Sequence, residues 1–142
     1  MNKNKQMWNK AKTLIPGGTM LFSKRPELHL PENWPTYYKS AKNYKVTDLN
    51  NKTYNDLIFL VGTNTLGYAN KKIDNAVMQS IRLSNMSSLN NFQEVELAEK
   101  LVEIHPHLDM VRFARSGAEA NTIAIRISRA ASGLDNIAFC GY

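Results

Sequence analysis

Cysteine is almost absent. Cys140 is the only one in 142 residues, so no disulfide can form within the chain and a cysteine-built zinc site is excluded. Long apolar runs are missing too. No window approaches the roughly 18 consecutive apolar residues of a membrane-spanning helix, so a helical membrane protein is not expected. The basic start, Met1-Asn2-Lys3-Asn4-Lys5-Gln6, is followed by no apolar segment, which argues against a secretory signal. The expected compartment is therefore the cytoplasm. The glycines do not form the G-x-G-x-x-G dinucleotide fingerprint, and no Gly-Lys-Ser/Thr occurs, which excludes a P-loop.

What remains is an ordinary globular balance, 43% hydrophobic and 21% charged, at a length of one domain or part of one. Eighteen Lys and Arg against twelve Asp and Glu leave a net charge of +6. These cations are spread along the chain, and the dense run in the first dozen residues reads as a solvated helix face. Nucleic-acid binding is not expected from such a pattern.

Residues 4–14 read as a short helix with Met7, Trp8, Ala11, Leu14 and Ile15 on one side, stopped by Pro16-Gly17-Gly18. Residues 19–43 hold Pro26, Pro31 and Pro35 among Trp34, Tyr37 and Tyr38, and read as an extended arm laid across its own chain. Alternation in 44–48, the turn Leu49-Asn50-Asn51-Lys52, and a second extended run in 53–59 predict a β-hairpin, because Asn tolerates the positive φ of a tight turn. Gly62 and Gly67 then bracket a polar loop, Thr63-Asn64-Thr65. Helical periodicity covers 71–83 and 93–104.

The last third predicts a strand at 110–114, a turn at Ser116-Gly117, a largely apolar helix over 118–132 closed by Gly133, and a strand at 136–140. Strand, helix, strand is a βαβ unit and implies a parallel sheet in an α/β protein. So apolar a helix expects burial against further structure. Cys140, in the second strand, is expected to be a buried small hydrophobe.

The turn Arg115-Ser116-Gly117-Ala118-Glu119-Ala120 carries the chemistry. Backbone N–H groups at a helix start are free, the helix dipole adds about half a positive charge, Ser116 can cap and donate, and Gly117 allows close approach. Those are the parts of a phosphate or carboxylate site, although Ser before a helix is most often only a cap. Tyr142, at the end of the next strand, falls at the same sheet edge and could stack on a planar ring. His105-Pro106-His107 lacks carboxylate or cysteine companions, so no metal site is expected there.

Several blocks in order then carry a resemblance. They are Ile15-Pro16-Gly17-Gly18; Val46-Thr47-Asp48-Leu49-Asn50-Asn51-Lys52-Thr53-Tyr54-Asn55-Asp56; Leu66-Gly67-Tyr68; Glu94-Val95-Glu96-Leu97-Ala98-Glu99; and Phe113-Ala114-Arg115-Ser116-Gly117-Ala118-Glu119-Ala120-Asn121. Ala124-Ile125-Arg126-Ile127-Ser128-Arg129-Ala130 and Ala138-Phe139-Cys140-Gly141-Tyr142 complete the set. Together they resemble the class III aminotransferases, pyridoxal-phosphate enzymes of fold type I, and look most like their glutamate-1-semialdehyde aminomutase branch.

The resemblance implies residues 1–60 as an N-terminal segment of helix, arm and hairpin, and 61–142 as the incomplete start of the large cofactor domain. It implies that Ser116, Gly117 and Ala118 hold the phosphate of pyridoxal 5′-phosphate and that Tyr142 stacks on its ring. Gly62, Thr63 and Asn64 would lie at the substrate mouth, and Glu119 and Asn121 would be structural. Lys24 stands where the branch carries a carboxylate-gripping Arg, with Arg25 beside it, and Leu21 stands where that Arg's companion Ser is usual. Arg115 replaces the Asn usual before Ser-Gly. These departures favour another substrate than glutamate 1-semialdehyde, such as a sugar or surface-polysaccharide precursor.

All twelve lysines precede the phosphate turn, so the resemblance puts the Schiff-base lysine downstream and no catalytic residue within this chain. The complete protein would be a homodimer transferring an amino group between a small-molecule donor and a carbonyl acceptor through a lysine aldimine, with the 142-residue chain inactive alone. Two alternatives stand beside it: a non-catalytic fragment, and a small α/β domain that binds a phosphorylated ligand.

Overall fold

The computed structural model describes residues 2–29 and 32–140. Two compact units follow one another, Met1–Asn85 and Met86–Tyr142.

The first unit opens with α1, Lys3–Leu14. The Asn2 side chain caps it by accepting the Lys5 N–H at 3.2 Å. It ends before Pro16, where Gly17 and Gly18 take φ of +74° and +77°. A Cβ on Gly18 would strike the Trp8 ring, so the glycine is needed for packing as well as for its backbone. Asn4, Trp8 and Ala11 are the buried residues of the helix, at the i, i+4, i+7 spacing of one face. Trp8 is only 6% exposed. At roughly 25 cal/mol per Å² over the 150–250 Å² of such a ring, its burial contributes about 4 to 6 kcal/mol as an upper bound.

The arm is more structured than expected. Phe22–Lys24 and Pro26–Leu28 are single 3₁₀ turns, the second with proline at its start. His29 stacks on Trp34 with ring centroids 4.4 Å apart. The arm's end is a strand. β1, Tyr38–Lys42, pairs antiparallel with β2, Lys45–Asp48, which pairs antiparallel with β3, Thr53–Asn55, in the order β1-β2-β3. Asn43 at φ +54° makes the tight β1–β2 turn, by the same tolerance that allows Asn51 its φ of +65° in the β2–β3 turn. β3 stops at Asn55, short of the predicted residue 59, because the Asp56 carboxylate captures the N–H groups of Ile58 and Phe59 and bends the chain.

Asp48 joins helix to hairpin. It is 3% exposed. Its Oδ1 accepts the N–H groups of Asn50 (2.8 Å) and Lys52 (2.9 Å), and its Oδ2 accepts Asn4 Nδ2 (2.9 Å) and the Tyr54 hydroxyl (3.3 Å). Burial pushes its pKa up, but the hydrogen bonds from Lys52, Asn50, Asn4 and Tyr54 outweigh burial and hold it below the usual carboxylate range. The unit closes with α2, Lys71–Leu83, capped by Asn70, whose side chain accepts from Lys72 and Ile73.

The second unit holds α3, Phe92–Ile104, capped by Asn91, and α4, Gly117–Ser132, capped by Ser116 and closed by Gly133 at φ +70°. The segments 110–114 and 136–140, predicted as strands, flank α4 but belong to no strand pair. A strand exists through its neighbour's hydrogen bonds, and among the described residues neither segment has such a partner. Cys140 is accordingly exposed rather than buried. No residue of α2, α3 or α4 is buried, although each carries an apolar stripe.

Candidate functional site

The phosphate-type turn is built as the residue types require. Ser116 Oγ accepts the Glu119 N–H at 3.2 Å, and the Glu119 carboxylate reaches back to the Arg115 N–H at 2.8 Å. This is a variant of the reciprocal Ser-x-x-Glu cap, and it makes Glu119 structural. With the Glu119 N–H taken by the serine and the Ala120 N–H by the Ser116 carbonyl, the N–H groups of Gly117 and Ala118 remain as donors. A Cβ on Gly117 would meet nothing within 4 Å, so the turn is uncrowded on that side. The Ser116 hydroxyl accepts in the cap and keeps its proton to donate. Two N–H groups, one hydroxyl proton and the positive end of a 16-residue helix fit a phosphate group. Tyr142, expected to stack on the cofactor ring, lies outside the described residues.

In the first unit, Lys24 is exposed at the end of a 3₁₀ turn. Arg25 is held. Its guanidinium lies against Gly17, where a Cβ would collide with it, and 5.1 Å from the Phe22 ring centroid. Its Nε is buried and has no hydrogen-bond partner. Beside it, Trp8 Nε1 donates to Glu27 Oε1 at 2.7 Å, and this bond, first among the causes, lowers the Glu27 pKa.

Gly62, Thr63 and Asn64 lie in a loop whose ends meet. At its start Asp56 Oδ1 accepts the N–H groups of Ile58 (2.8 Å) and Phe59 (3.2 Å). At its end the Tyr68 hydroxyl donates to Asp56 Oδ2 at 2.5 Å. The Tyr68 bond, foremost, holds Asp56 below the usual carboxylate range, and the same bond together with burial pushes the Tyr68 hydroxyl up. Between these ends Phe59, Leu60 and Val61 take φ of +48°, +50° and +56°. Left-handed backbone costs a non-glycine residue roughly 1–2 kcal/mol, so three in a row store about 3–6 kcal/mol. Gly62 follows at φ +89°, and Thr63 Oγ1 donates to the Leu60 carbonyl at 2.8 Å. Asn64 Nδ2 is buried beside the Tyr68 hydroxyl oxygen, short of full hydrogen-bond geometry, and favours the ionised form of that hydroxyl.

The sequence alone did not single out Asp56 and Tyr68 as a pair. The available signal was an Asp opening a turn and a Tyr after Leu66-Gly67, twelve positions apart. A groove of about 580 Å³ between α1 and the hairpin, edged by Lys3, Lys10 and Lys39 over Met7 and Leu49, contains none of the candidate residues. His105 and His107 stand edge to face, 5.8 Å between centroids, and among the described residues no third metal-ligating side chain joins them.

These features, a capped helix with an anion-ready N-terminus after an N-terminal helix and small antiparallel sheet, are those of part of a pyridoxal-phosphate transaminase fold. The profile of the class-III aminotransferases matches residues 29–136, and the chain belongs to that family. It is 31% identical over 141 residues to the 3-aminobutyryl-CoA aminotransferase of Cloacimonas acidaminovorans, covering 99% of this chain and 34% of that protein. It is 37% identical over 134 residues to the glutamate-1-semialdehyde 2,1-aminomutase of Thermosipho melanesiensis, covering 92% of this chain and 30% of that protein. Among solved structures, the internal-aldimine form of the FumI protein of Sphingopyxis sp. MTA144 superposes with a TM-score of 0.86 at 27% identity, over 94% of this chain and 32% of that one. The chain thus spans about a third of the length of the relatives it matches.

Proposed function

We propose that residues 1–142 are the N-terminal part of a pyridoxal-phosphate-dependent aminotransferase, with residues 1–60 as its N-terminal segment and 61–142 as the opening of its cofactor domain. The observation that carries this reading is the Ser116 cap, which leaves the Gly117 and Ala118 N–H groups as donors at the helix start. Ser116, Gly117 and Ala118 would hold the cofactor phosphate, and Tyr142 would lie on the ring. When bound, pyridoxal phosphate supplies an electron sink for the carbon that loses or gains the amino group. This chain's own contribution is to fix the phosphate and to receive the substrate.

Substrate grip falls to Arg25 rather than Lys24. Arg25 is packed on the Gly17 turn and retains an unpartnered donor, and a guanidinium fork matches a carboxylate where an ammonium is only a point charge. Gly62, Thr63 and Asn64 form the mouth. The reading extends to a cytoplasmic homodimer acting on a small-molecule amino donor and a carbonyl acceptor other than glutamate 1-semialdehyde. It also takes the 142-residue chain to be inactive alone.

The test uses the complete protein. Absorbance titration with pyridoxal phosphate, borohydride reduction and peptide mapping should find one modified lysine beyond residue 142. Ser116→Ala should lose cap and phosphate contact together, about 1 kcal/mol from the cap alone, and release cofactor faster on dilution. Unchanged retention in Ser116→Ala refutes the phosphate assignment. A stoichiometric adduct at one lysine of the 142-residue chain refutes the placement of the reactive lysine downstream. Turnover assays against glutamate 1-semialdehyde and a panel of keto sugars decide the substrate.

A further inference from the structure

The loop from Asp56 to Tyr68 is held more firmly than a connection of its length requires. An ordinary turn opened by aspartate would be complete with Asp56 accepting the Ile58 N–H. Here the second carboxylate oxygen reaches across the loop to the Tyr68 hydroxyl. The Tyr68 backbone is itself pinned, its N–H donating to the Asn43 carbonyl and its carbonyl accepting the Asn43 N–H, both at 2.8 Å. Asp56 is pinned in turn, its N–H donating to the Tyr44 carbonyl at 2.8 Å. Both ends of the loop are therefore anchored to the β1–β2 turn.

Inside this frame the chain adopts what it would otherwise avoid. Phe59, Leu60 and Val61 are all left-handed, and Val61 is β-branched, the type least suited to that region. Internal bonds complete the arrangement: Asn64 N–H and Gly62 N–H both donate to the Phe59 carbonyl at 3.1 Å. Strain of this kind persists only where the surroundings over-determine it, and it concentrates where a protein must present groups in one conformation. The group presented is Asn64. Its Nδ2 is buried and lies beside the Tyr68 hydroxyl, so the lock also fixes the Asn64 side chain.

We propose that Asp56 and Tyr68 are positioning residues of the substrate mouth, whose mutual hydrogen bond locks the 57–67 loop and so holds Gly62, Thr63 and Asn64 in one conformation for the substrate. The inference rests on the aminotransferase reading for what occupies the mouth, and on the geometry of this unit alone for the lock. Asp56 acts as the anchor because it accepts three donors at once; Tyr68 carries the lock to Asn64.

Tyr68→Phe tests this with the least disturbance, since it deletes only the hydroxyl. In hydrogen-exchange mass spectrometry of the 142-residue chain, peptides covering 57–67 should exchange at least tenfold faster in Tyr68→Phe and Asp56→Asn, with α1 peptides as the unchanged control. In the complete enzyme, Tyr68→Phe should raise KM for the amino donor at least tenfold and lower kcat by a smaller factor. Equal exchange in Tyr68→Phe and parent overturns the lock. Faster exchange with unchanged KM overturns the positioning role alone. An inactive complete parent overturns the aminotransferase reading and the positioning role with it, while the exchange result still decides the lock.

Discussion

Asp48 should be the most sensitive single position in the first unit. Four donors converge on its carboxylate, two from the β2–β3 turn, one from α1 and one from β3. Asp48→Ala would leave Asn4 Nδ2 and two backbone N–H groups without their acceptor in a buried place. Hydrogen bonds to a charged group are worth about 1.5–3 kcal/mol, and an orphaned buried donor costs about 1–3 kcal/mol. Solvent reaching the turn would relieve part of this, so about 3–5 kcal/mol is expected for the alanine variant, comparable to the whole stability of a small unit. Asp48→Asn is milder but not neutral. With its oxygen toward the turn N–H groups, the new amide Nδ2 faces Asn4 Nδ2, donor against donor. Asn4 cannot turn over freely, because its Oδ1 already accepts the Tyr37 N–H at 3.2 Å. About 1–3 kcal/mol is expected, a fall in Tm of roughly 4–8 °C per kcal/mol.

Urea and thermal melts of the dilute chain, followed by the fluorescence of Trp8 and Trp34, report on the unfolding of this unit. The pH dependence has a definite sign. The folded pKa of Asp48 lies below its unfolded value, so its stabilisation is fully present above about pH 4, the ordinary carboxylate range. It is lost as pH falls through the folded pKa. The parent should therefore lose stability on acidification, and its advantage over Asp48→Asn should shrink. An Asp48→Ala chain melting within about 2 °C of the parent, or a parent–Asn gap that does not change with acid, would refute the assignment.

Gly18→Ala should destabilise the first unit by at least about 1–2 kcal/mol through its positive φ alone, with the Trp8 clash adding to it; an unchanged urea midpoint would show that the turn relaxes freely. The unburied apolar stripes of α2, α3 and α4 should make the 142-residue chain self-associate, seen as polydisperse boundaries in sedimentation velocity. A single monomer boundary over a range of concentrations would contradict that.

What the sequence determined by itself was local. Helices α1 to α4 follow from apolar spacing and from short polar caps at Asn2, Asn70, Asn91 and Ser116, because a helix is decided within a few residues of each position. The Ser116 turn was legible for the same reason, since cap, free N–H groups and glycine are neighbours in the chain. What tertiary structure decided was everything that depends on a distant partner. β1 was hidden in a proline-bearing arm, because a strand is defined by the neighbour it pairs with. The flanking segments of α4 carry strand-like sequence yet form no ladder, for want of such a neighbour. Arg25 was set apart from Lys24 by packing on Gly17. The Asp56–Tyr68 bond, twelve residues apart in sequence and 2.5 Å in space, belongs to a loop whose left-handed run at Phe59, Leu60 and Val61 suits none of those residue types, so closure of the loop imposes it.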